Sequence, residues 1–422
     1  MSLTRKQEEA LVQAKEWWNG TDKYFKPFII YGKAGTGKTY LVKHIIESLD
    51  NLDPIKNVKY VSFTGKAVNR LVQAGNLNSI TLHKFIYDFD YREEKITDED
   101  GKVLKVENKF IKTLKPSLES EIKLVIVDEC RMVEEELFND LLSFNVPIIC
   151  LGDPNQLKPI SGKISSILDK PNIVLDEIMR QEKDNPIIYL AEQALNHRYI
   201  RFGNYGNCRC VGKRFIPIDE LERADQILTD KNDLVNKLNQ FYRKKFKNIE
   251  NPFPQDGEKL ICIQNNWETS ITEGIYTQNL VNGLIGFSSN VKDENHKLSM
   301  FKMNFKPDYF ENKCFDLIDV DSILFKDPEI NNVSDIYKKY SVYGKTLNKR
   351  NIYYDDLFSE YGVRRRINFF NFAYCITVHK SQGSEFDNLV YFDQCMNNGE
   401  YFNRLYTAIT RAKERIVIIK NL

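Results

Sequence analysis

Residues 32–39 read Gly32-Lys33-Ala34-Gly35-Thr36-Gly37-Lys38-Thr39, the spacing GxxxxGK[ST]. Glycines at these positions let successive backbone N–H groups curl around a phosphate chain, and a helix starting there turns its positive end toward the same charge. In this pattern Lys38 reaches the β- and γ-phosphates of a nucleoside triphosphate, and the Thr39 hydroxyl ligates magnesium. A second run, Leu124-Val125-Ile126-Val127-Asp128-Glu129, ends an apolar stretch on two carboxylates. At the carboxyl end of a buried parallel strand, Asp128 is placed to hold magnesium through water and Glu129 to polarise the attacking water. The chemistry these two runs spell is phosphoryl transfer to water.

The elements needed to position such residues are legible. Short apolar runs at 28–31, 58–63, 124–127 and 147–151 alternate with helical patterns, one of them over 39–49. Continuous apolar strands alternating with helices predict a parallel α/β sheet covered on both faces. The pattern breaks at 87–121, where Asp100-Gly101 between short alternating segments predicts an inserted β-hairpin. A second α/β pattern resumes at 226–229 with a helix over 232–247, and returns at 369–376, 389–392, 401–412 and 416–419. The stretch 257–366 between them has short β-like runs and no long helical period, which predicts a small β-rich domain inserted in the second α/β domain.

Composition sets the frame. At 422 residues the chain is too long for one ordinary core. It has no run of 18 apolar residues, so no membrane-spanning helix is expected, and no signal-peptide core at its start, so a cytoplasmic location is expected. Eight cysteines are scattered, with only Cys208 and Cys210 close together, so reduced thiols are a better reading than a zinc site. The net charge of +1 announces no partner, but basic residues cluster locally. Arg198, Arg201, Arg209, Lys213 and Arg214 occur within 196–216 with no acid and with Tyr199, Phe202, Tyr205 and Phe215 among them; a second basic, tyrosine-rich stretch covers 331–371. Cations for phosphates beside rings for bases is the composition single strands favour, although a solvated face accounts for either patch alone.

Further motifs, in order along the chain, resemble those of superfamily 1 helicases. Gln7 in Leu3-Thr4-Arg5-Lys6-Gln7 resembles the motif that reads adenine, which implies ATP. Phe63-Thr64-Gly65-Lys66-Ala67 and Thr81-Leu82-His83 resemble motifs Ia and Ib, which grip the strand. Gly152-Asp153-Pro154-Asn155-Gln156-Leu157 resembles motif III, whose glutamine senses the γ-phosphate, and the run ending in Arg180-Gln181 resembles motif IV. Val378-His379-Lys380-Ser381-Gln382-Gly383-Ser384-Glu385-Phe386 resembles motif V, and Tyr406 to Ala412, with Thr410 and Arg411, resembles motif VI.

The resemblance spans nearly the whole chain and is best to the RecD-like branch, whose insertions are short. It implies two RecA-like domains, 1–178 and 179–256 with 367–422, and an SH3-like accessory domain at 257–366. Catalytic roles fall to Lys38, Asp128, Glu129 and Gln156, with Arg180 and Arg411 reaching from the second domain to the γ-phosphate. Gln7, Gly32, Gly35, Thr36, Gly37, Lys38, Thr39, Gly383 and Glu385 hold ATP, Thr39 and Asp128 hold Mg²⁺, and Thr64, Lys66, Thr81, His83, Asn232, Thr377, His379 and Lys380 hold nucleic acid. The implied partners are single-stranded DNA and forked or tailed duplex DNA, with single-strand-binding, replication or recombination proteins beside them. Movement 5′ to 3′ comes from the resemblance alone. A motor subunit of a larger recombination complex, a translocase that strips bound proteins, and an RNA substrate all stay open. Three positions depart from the branch: Arg131 where Ser is usual, and Lys33 and Lys158 where Pro is common.

Overall fold

The segment Phe28–Gly32 (β1) is buried at every position, and its side chains leave the sheet alternately. Phe28 and Ile30 face one apolar layer with Ala10, Leu41 and Ile45, while Ile29 and Tyr31 face another with Val127 and Phe138. A strand that is apolar on both faces requires helices on both sides. Residues 3–97, 103–157, 163–177, 185–273, 276–295, 300–326, 368–395 and 399–420 are described by the computed structural model. They divide into two units, 1–188 and 189–422.

In the first unit, α1 (Arg5–Asn19) precedes β1 and starts on a capping box between Thr4 and Gln7. Then follow α2 (Lys38–Ser48), β2 (Val58–Ser62), α3 (Gly65–Gln73), β3 (Ser79–Thr81) and α4 (Leu82–Ile86). A hairpin of β4 (Tyr87–Thr97) and β5 (Val103–Leu114) intervenes before β6 (Leu124–Asp128), α5 (Glu135–Leu142), β7 (Ile148–Gly152) and β8 (Ile173–Leu175). The sheet order is β3-β2-β6-β7-β1-β8, parallel throughout. Helix α2 forms because Leu41, Val42, Ile45 and Ile46 recur on one face. All four are buried, each contributing about 1.5–3 kcal/mol. The expected hairpin is present, paired from Tyr87↔Leu114 to Thr97↔Val103; its Asp100-Gly101 tip lies outside the described residues.

The division between units falls within α6 (Pro186–Leu195). The second unit continues with β9 (Gly203–Tyr205), β10 (Cys208–Gly212), α7 (Ile218–Arg223), β11 (Gln226–Thr229) and α8 (Asn232–Phe246). Next come β12 (Lys259–Cys262), β13 (Asn266–Glu273), β14 (Tyr276–Leu280), β15 (Ile285–Asn295), β16 (Met300–Pro307), β17 (Phe315–Asp321) and α9 (Ile323–Lys326). The chain is described again through β18 (Asn368–Phe372), β19 (Cys375–Thr377), β20 (Phe386–Asp393), α10 (Tyr401–Ile409) and β21 (Ala412–Lys420). The sheet order is β19-β11-β20-β21-β10-β9, parallel but for the edge strand β9. The inserted β-rich domain is a closed barrel, β12-β15-β16-β17-β18.

The expected strand 369–376 is two strands. Phe372 ends the barrel strand β18, and Cys375 begins β19 in the α/β sheet. The peptide groups at the crossing are satisfied by side chains. Asn239 donates to Phe372 O and Cys375 O at 3.0 Å and accepts from Cys375 N at 2.8 Å. The Gln226 amide donates to Ala373 O and Tyr374 O, each at 3.0 Å. The barrel is pinned to α8 by a buried pair, Arg243 Nε to Glu258 Oε1 at 2.6 Å, with Arg243 stacked 3.9 Å from the centre of the Phe372 ring. Removing either partner strands the other charge in the core, at about 3–5 kcal/mol. Among the described residues no helix is long and apolar enough to cross a membrane. The expected basic stretch 331–371 falls mostly outside the described residues.

Candidate functional site

The loop between β1 and α2 turns back on itself through Gly35 and Gly37, at φ of 77° and 72°. Side chains other than glycine are strained there. A Cβ at Gly32 would come within 2.5 Å of Thr36 Oγ1, so the loop closes only around a glycine. Thr36 Oγ1 donates to Lys33 O at 2.9 Å, and the Lys38 ammonium donates to Gly32 O at 2.7 Å and Lys33 O at 3.1 Å. This folds the Lys38 charge over the loop. Gln7 is buried beneath it: its amide donates to Thr36 O at 3.0 Å and its Oε1 accepts from Thr4 N at 2.9 Å. Gln7 thus braces the loop from α1 with both ends of its side chain.

Asp128 ends β6, and β7 lies between β6 and β1, so the carboxylate, the motif III turn and the glycine loop share one sheet edge. Glu129 follows with φ at 54°, a left-handed conformation that costs a glutamate about 1–3 kcal/mol. In the turn after β7, Asn155 N donates to Asp153 Oδ1 at 3.0 Å and Gln156 N donates to Asp153 O at 3.3 Å. Thr39 is exposed in the first turn of α2. A hydroxyl and one carboxylate suit magnesium, which keeps several waters and takes phosphate oxygens as further ligands. Among the described residues no group of three His, Cys, Asp or Glu side chains forms a separate metal cluster. Cys208 and Cys210 lie buried on β10 as free thiols.

The expected strand-gripping residues of the first unit come together at the ends of β2 and β3, where Ser62 pairs with Thr81. The Thr64 hydroxyl caps α3 by accepting from Ala67 N at 3.2 Å, and Lys66 lies in the first turn of the same helix. The Thr81 hydroxyl caps α4, accepting from Lys84 N at 3.4 Å. The His83 ring lies 5.6 Å from that of Phe63 and 6.2 Å from that of Tyr87, the first residue of the hairpin. Burial pushes its imidazole down to about 4, Lys112 adding to the effect and Glu134 opposing it. His83 is therefore neutral at pH 7 and presents a ring and an N–H rather than a charge.

In the second unit Thr229 pairs with Thr377, and Val378 N donates to Thr229 O at 3.0 Å. That pairing puts the start of α8, with Asn232, and the turn with His379 and Lys380 at the same end of the sheet. Burial lowers the His379 imidazole, with Arg404 reinforcing and Glu400 opposing, and burial also lowers the Lys380 ammonium. Gly383 has φ of 74°, and Glu385 next to Ser384 is exposed. Arg411 joins this turn to α10: its guanidinium donates to Ser384 O at 3.3 Å, Thr407 O at 3.2 Å and Thr410 Oγ1 at 3.3 Å. Arg180, like Lys158, lies outside the described residues.

Comparison with known proteins finds matches in both units. Residues 21–162 match the AAA domain family and residues 372–419 the UvrD-like helicase C-terminal domain. The chain is 26% identical to the uncharacterized protein R530 of Acanthamoeba polyphaga mimivirus, over 93% of this chain and 94% of that one. It is 25% identical to the RecBCD enzyme subunit RecD of Buchnera aphidicola, over 92% of this chain and 69% of that one. The solved structure of the Pif1 helicase from Bacteroides with ADP-AlF3 and single-stranded DNA superposes with a TM-score of 0.50 at 17% identity, covering 99% and 92%. The two family matches fall one in each α/β unit, the first over the glycine loop and carboxylates and the second over the segment that carries His379 and Arg411.

One residue at this sheet edge had no motif to announce it. Arg70, on the helix that Thr64 caps, places Nη2 at 3.2 Å from Asp128 Oδ2 and 3.3 Å from Glu129 Oε1. Only its position five residues past Gly65, on the helix that follows β2, hinted that it could meet the end of neighbouring β6. Burial raises the Asp128 carboxyl above the usual range; Arg70 and Lys38 pull it down and Glu129 pushes it up. Removing Arg70 therefore raises the Asp128 pKa further, so that a larger share of the free enzyme is protonated at acid pH. For Arg70→Ala we expect the acid limb of kcat/KM for ATP, which reports the free enzyme, to move to higher pH. The expected loss is roughly tenfold or more at pH 6 beside a smaller one at pH 8. A pH profile parallel to wild type contradicts this assignment.

The departure at Arg131 is explained by packing. Its guanidinium lies 5.7 Å from the Tyr31 ring centre and 3.4 Å from Asp169 Oδ1. A Cβ at Gly152 would sit 3.3 Å from Arg131 Cγ and 2.9 Å from Cys130 Sγ, so the motif III glycine makes room for this side chain.

Proposed function

We propose that this chain is an ATP-dependent DNA helicase that moves 5′ to 3′ along one strand and couples hydrolysis to duplex separation. The observation that supports the reading is a glycine loop and a carboxylate pair at one sheet edge, with Thr64, Lys66, Thr81 and His83 clustered at strand ends of the first unit and Thr377, His379 and Lys380 at a strand end of the second. The RecD and Pif1 relatives supply the substrate class, since the Bacteroides protein is described with ADP-AlF3 and single-stranded DNA. Short insertions and length further suggest the Dda helicase of T-even phages as the protein it resembles. Replication, recombination and repair proteins of a bacterial cytoplasm are then its natural company.

Lys38 and the backbone N–H groups of 32–39 bind the phosphates, and Gln7 holds the loop that does so. Thr39 and Asp128 would hold Mg²⁺, which neutralises phosphate charge when bound. Glu129 accepts the proton of the attacking water, and Gln156, Arg180 and Arg411 stabilise charge on the transferring group. Gly383 and Glu385 contribute from motif V. Thr64, Lys66, Thr81 and His83 grip one stretch of strand, while Asn232, Thr377, His379 and Lys380 grip another. The β4–β5 hairpin divides the duplex. Hydrolysis measured against added single-stranded DNA, single-stranded RNA and blunt duplex tests the reading. Single-stranded DNA should stimulate turnover most, and turnover indifferent to all three contradicts a strand-driven motor.

A further inference from the structure

The basic, aromatic stretch 196–216 takes a definite shape. Helix α6 ends where His197 adopts φ of 54°, with His197 N bonded to Ala194 O at 3.0 Å and Arg198 N to Gln193 O at 2.9 Å. Glycine is the usual residue at that position, because a Cβ is strained there. The histidine ring instead stacks on Phe402 of α10, with centroids 4.8 Å apart and planes 27° from parallel. Tyr199 adds a third ring, 5.3 Å from Phe402 and 5.5 Å from Tyr401, while 62% of its surface stays open to solvent. Phe202, also mostly exposed, lies over Gly212 at 3.7 Å from that residue's Cβ position.

Two features give this surface a direction. Gly212 pairs with Lys420, whose ammonium sits 5.6 Å from the Tyr199 ring, and Arg198, Arg201, Lys213 and Arg214, close to Tyr199, Phe202 and Gly212 in the chain, are exposed. Phe402 lies in the first turn of α10, whose Arg404, with Glu400 just before the helix, acts electrostatically on His379 of motif V. Exposed rings with cations beside them in the chain, in the unit that also carries His379, match a single strand: every base offers a face to stack and every nucleotide a phosphate. An apolar protein partner would leave four exposed cations without counter-charge.

We propose that His197, Tyr199 and Phe402 form a base-stacking platform that, with Arg198, Arg201, Lys213 and Arg214, extends the single-stranded DNA track of the second unit beyond motif V. The proposal rests on the single-strand motor reading above. Its occupant is the nucleotides adjoining those held by Asn232, Thr377, His379 and Lys380, and the added contact is independent of sequence.

The test is binding of the full chain to labelled oligothymidylates of increasing length, read by fluorescence anisotropy. In the wild type affinity should keep rising past the shortest oligomer that binds. Tyr199→Ala should lose at least about fivefold on long oligomers and much less on the shortest, since one stack contributes about 1–3 kcal/mol. Tyr199→Phe keeps the ring and should restore the gain. Long oligomers made abasic toward either end separate stacking from charge. At one end only, base removal should weaken wild type to the level of Tyr199→Ala and leave that variant unchanged. Melting curves check folding of each variant. Equal affinity of wild type and Tyr199→Ala for long oligomers overturns the platform, as does indifference to base removal at both ends. A wild-type chain that binds no oligomer at any length overturns the motor reading itself, and the platform with it.

Discussion

Lys38→Ala should reduce ATP hydrolysis by at least about a hundredfold while leaving single-strand affinity within a few-fold of wild type. The Lys38 ammonium is held over the glycine loop by Gly32 O and Lys33 O, so its charge is already directed at that loop. Electrostatic groups fixed in advance of the reaction contribute more than mobile ones. Binding should survive because Thr64, Lys66, Thr81 and His83 lie at the ends of β2 and β3, and three strands separate β3 from β1. Losing two charge-assisted bonds to the loop should lower stability by roughly 1–3 kcal/mol, visible in a melting curve. Turnover and anisotropy measured on one preparation decide the matter. Turnover near wild type removes Lys38 from the site, whereas parallel loss of turnover and binding points to a collapsed first unit.

The second large effect concerns the hairpin. Arms of 11 and 12 residues reach roughly 35 Å at the usual strand rise. A two-stranded ribbon is marginal by itself, so its root must hold it. Tyr87 donates to Asp140 of α5, the Lys112 ammonium lies 4.1 Å from the Tyr87 ring centre, and Lys115 N bonds to Ile86 O at 2.9 Å. The root therefore grows directly from the helix that carries His83. Replacing 92–110 with a short Gly-Ser linker spares this root, the glycine loop and the gripping residues. Strand-stimulated hydrolysis should stay near wild type while unwinding falls by tenfold or more, because opening each base pair costs about 1.4 kcal/mol and nothing would divide the strands. Unwinding at an undiminished rate would place the dividing element elsewhere, with the β12–β18 barrel the next candidate.

Local chemistry made much of this molecule legible in advance. The strands at 28–32, 124–128 and 148–152 are apolar on both faces, and the glycine loop between β1 and α2 has a geometry few sequences need. What escaped depends on long-range partners. The crossing from β18 to β19 is an unbroken apolar run in sequence, and it is divided by Asn239 and Gln226, each more than 130 residues away. Strand β10 was hidden because Cys208-Arg209-Cys210 is short and sits in a stretch dominated by charge. Arg70 is one of two cations on an amphipathic helix, and only the pairing of β2 with β6 brings it to Asp128 and Glu129. The left-handed backbone of Glu129 likewise has no signature in residue type.

One measurement bears on the central claim more directly than any substitution: unwinding by the purified full chain, with ATP and magnesium, of matched DNA duplexes bearing a 5′ or a 3′ single-stranded tail. A 5′-to-3′ motor with its own dividing hairpin should open the 5′-tailed duplex, leave the 3′-tailed one closed, and do neither without ATP. Opening of the 3′-tailed duplex alone would contradict the direction. Failure to open either, with strand-stimulated hydrolysis intact, would contradict the claim that this chain by itself couples ATP to strand separation.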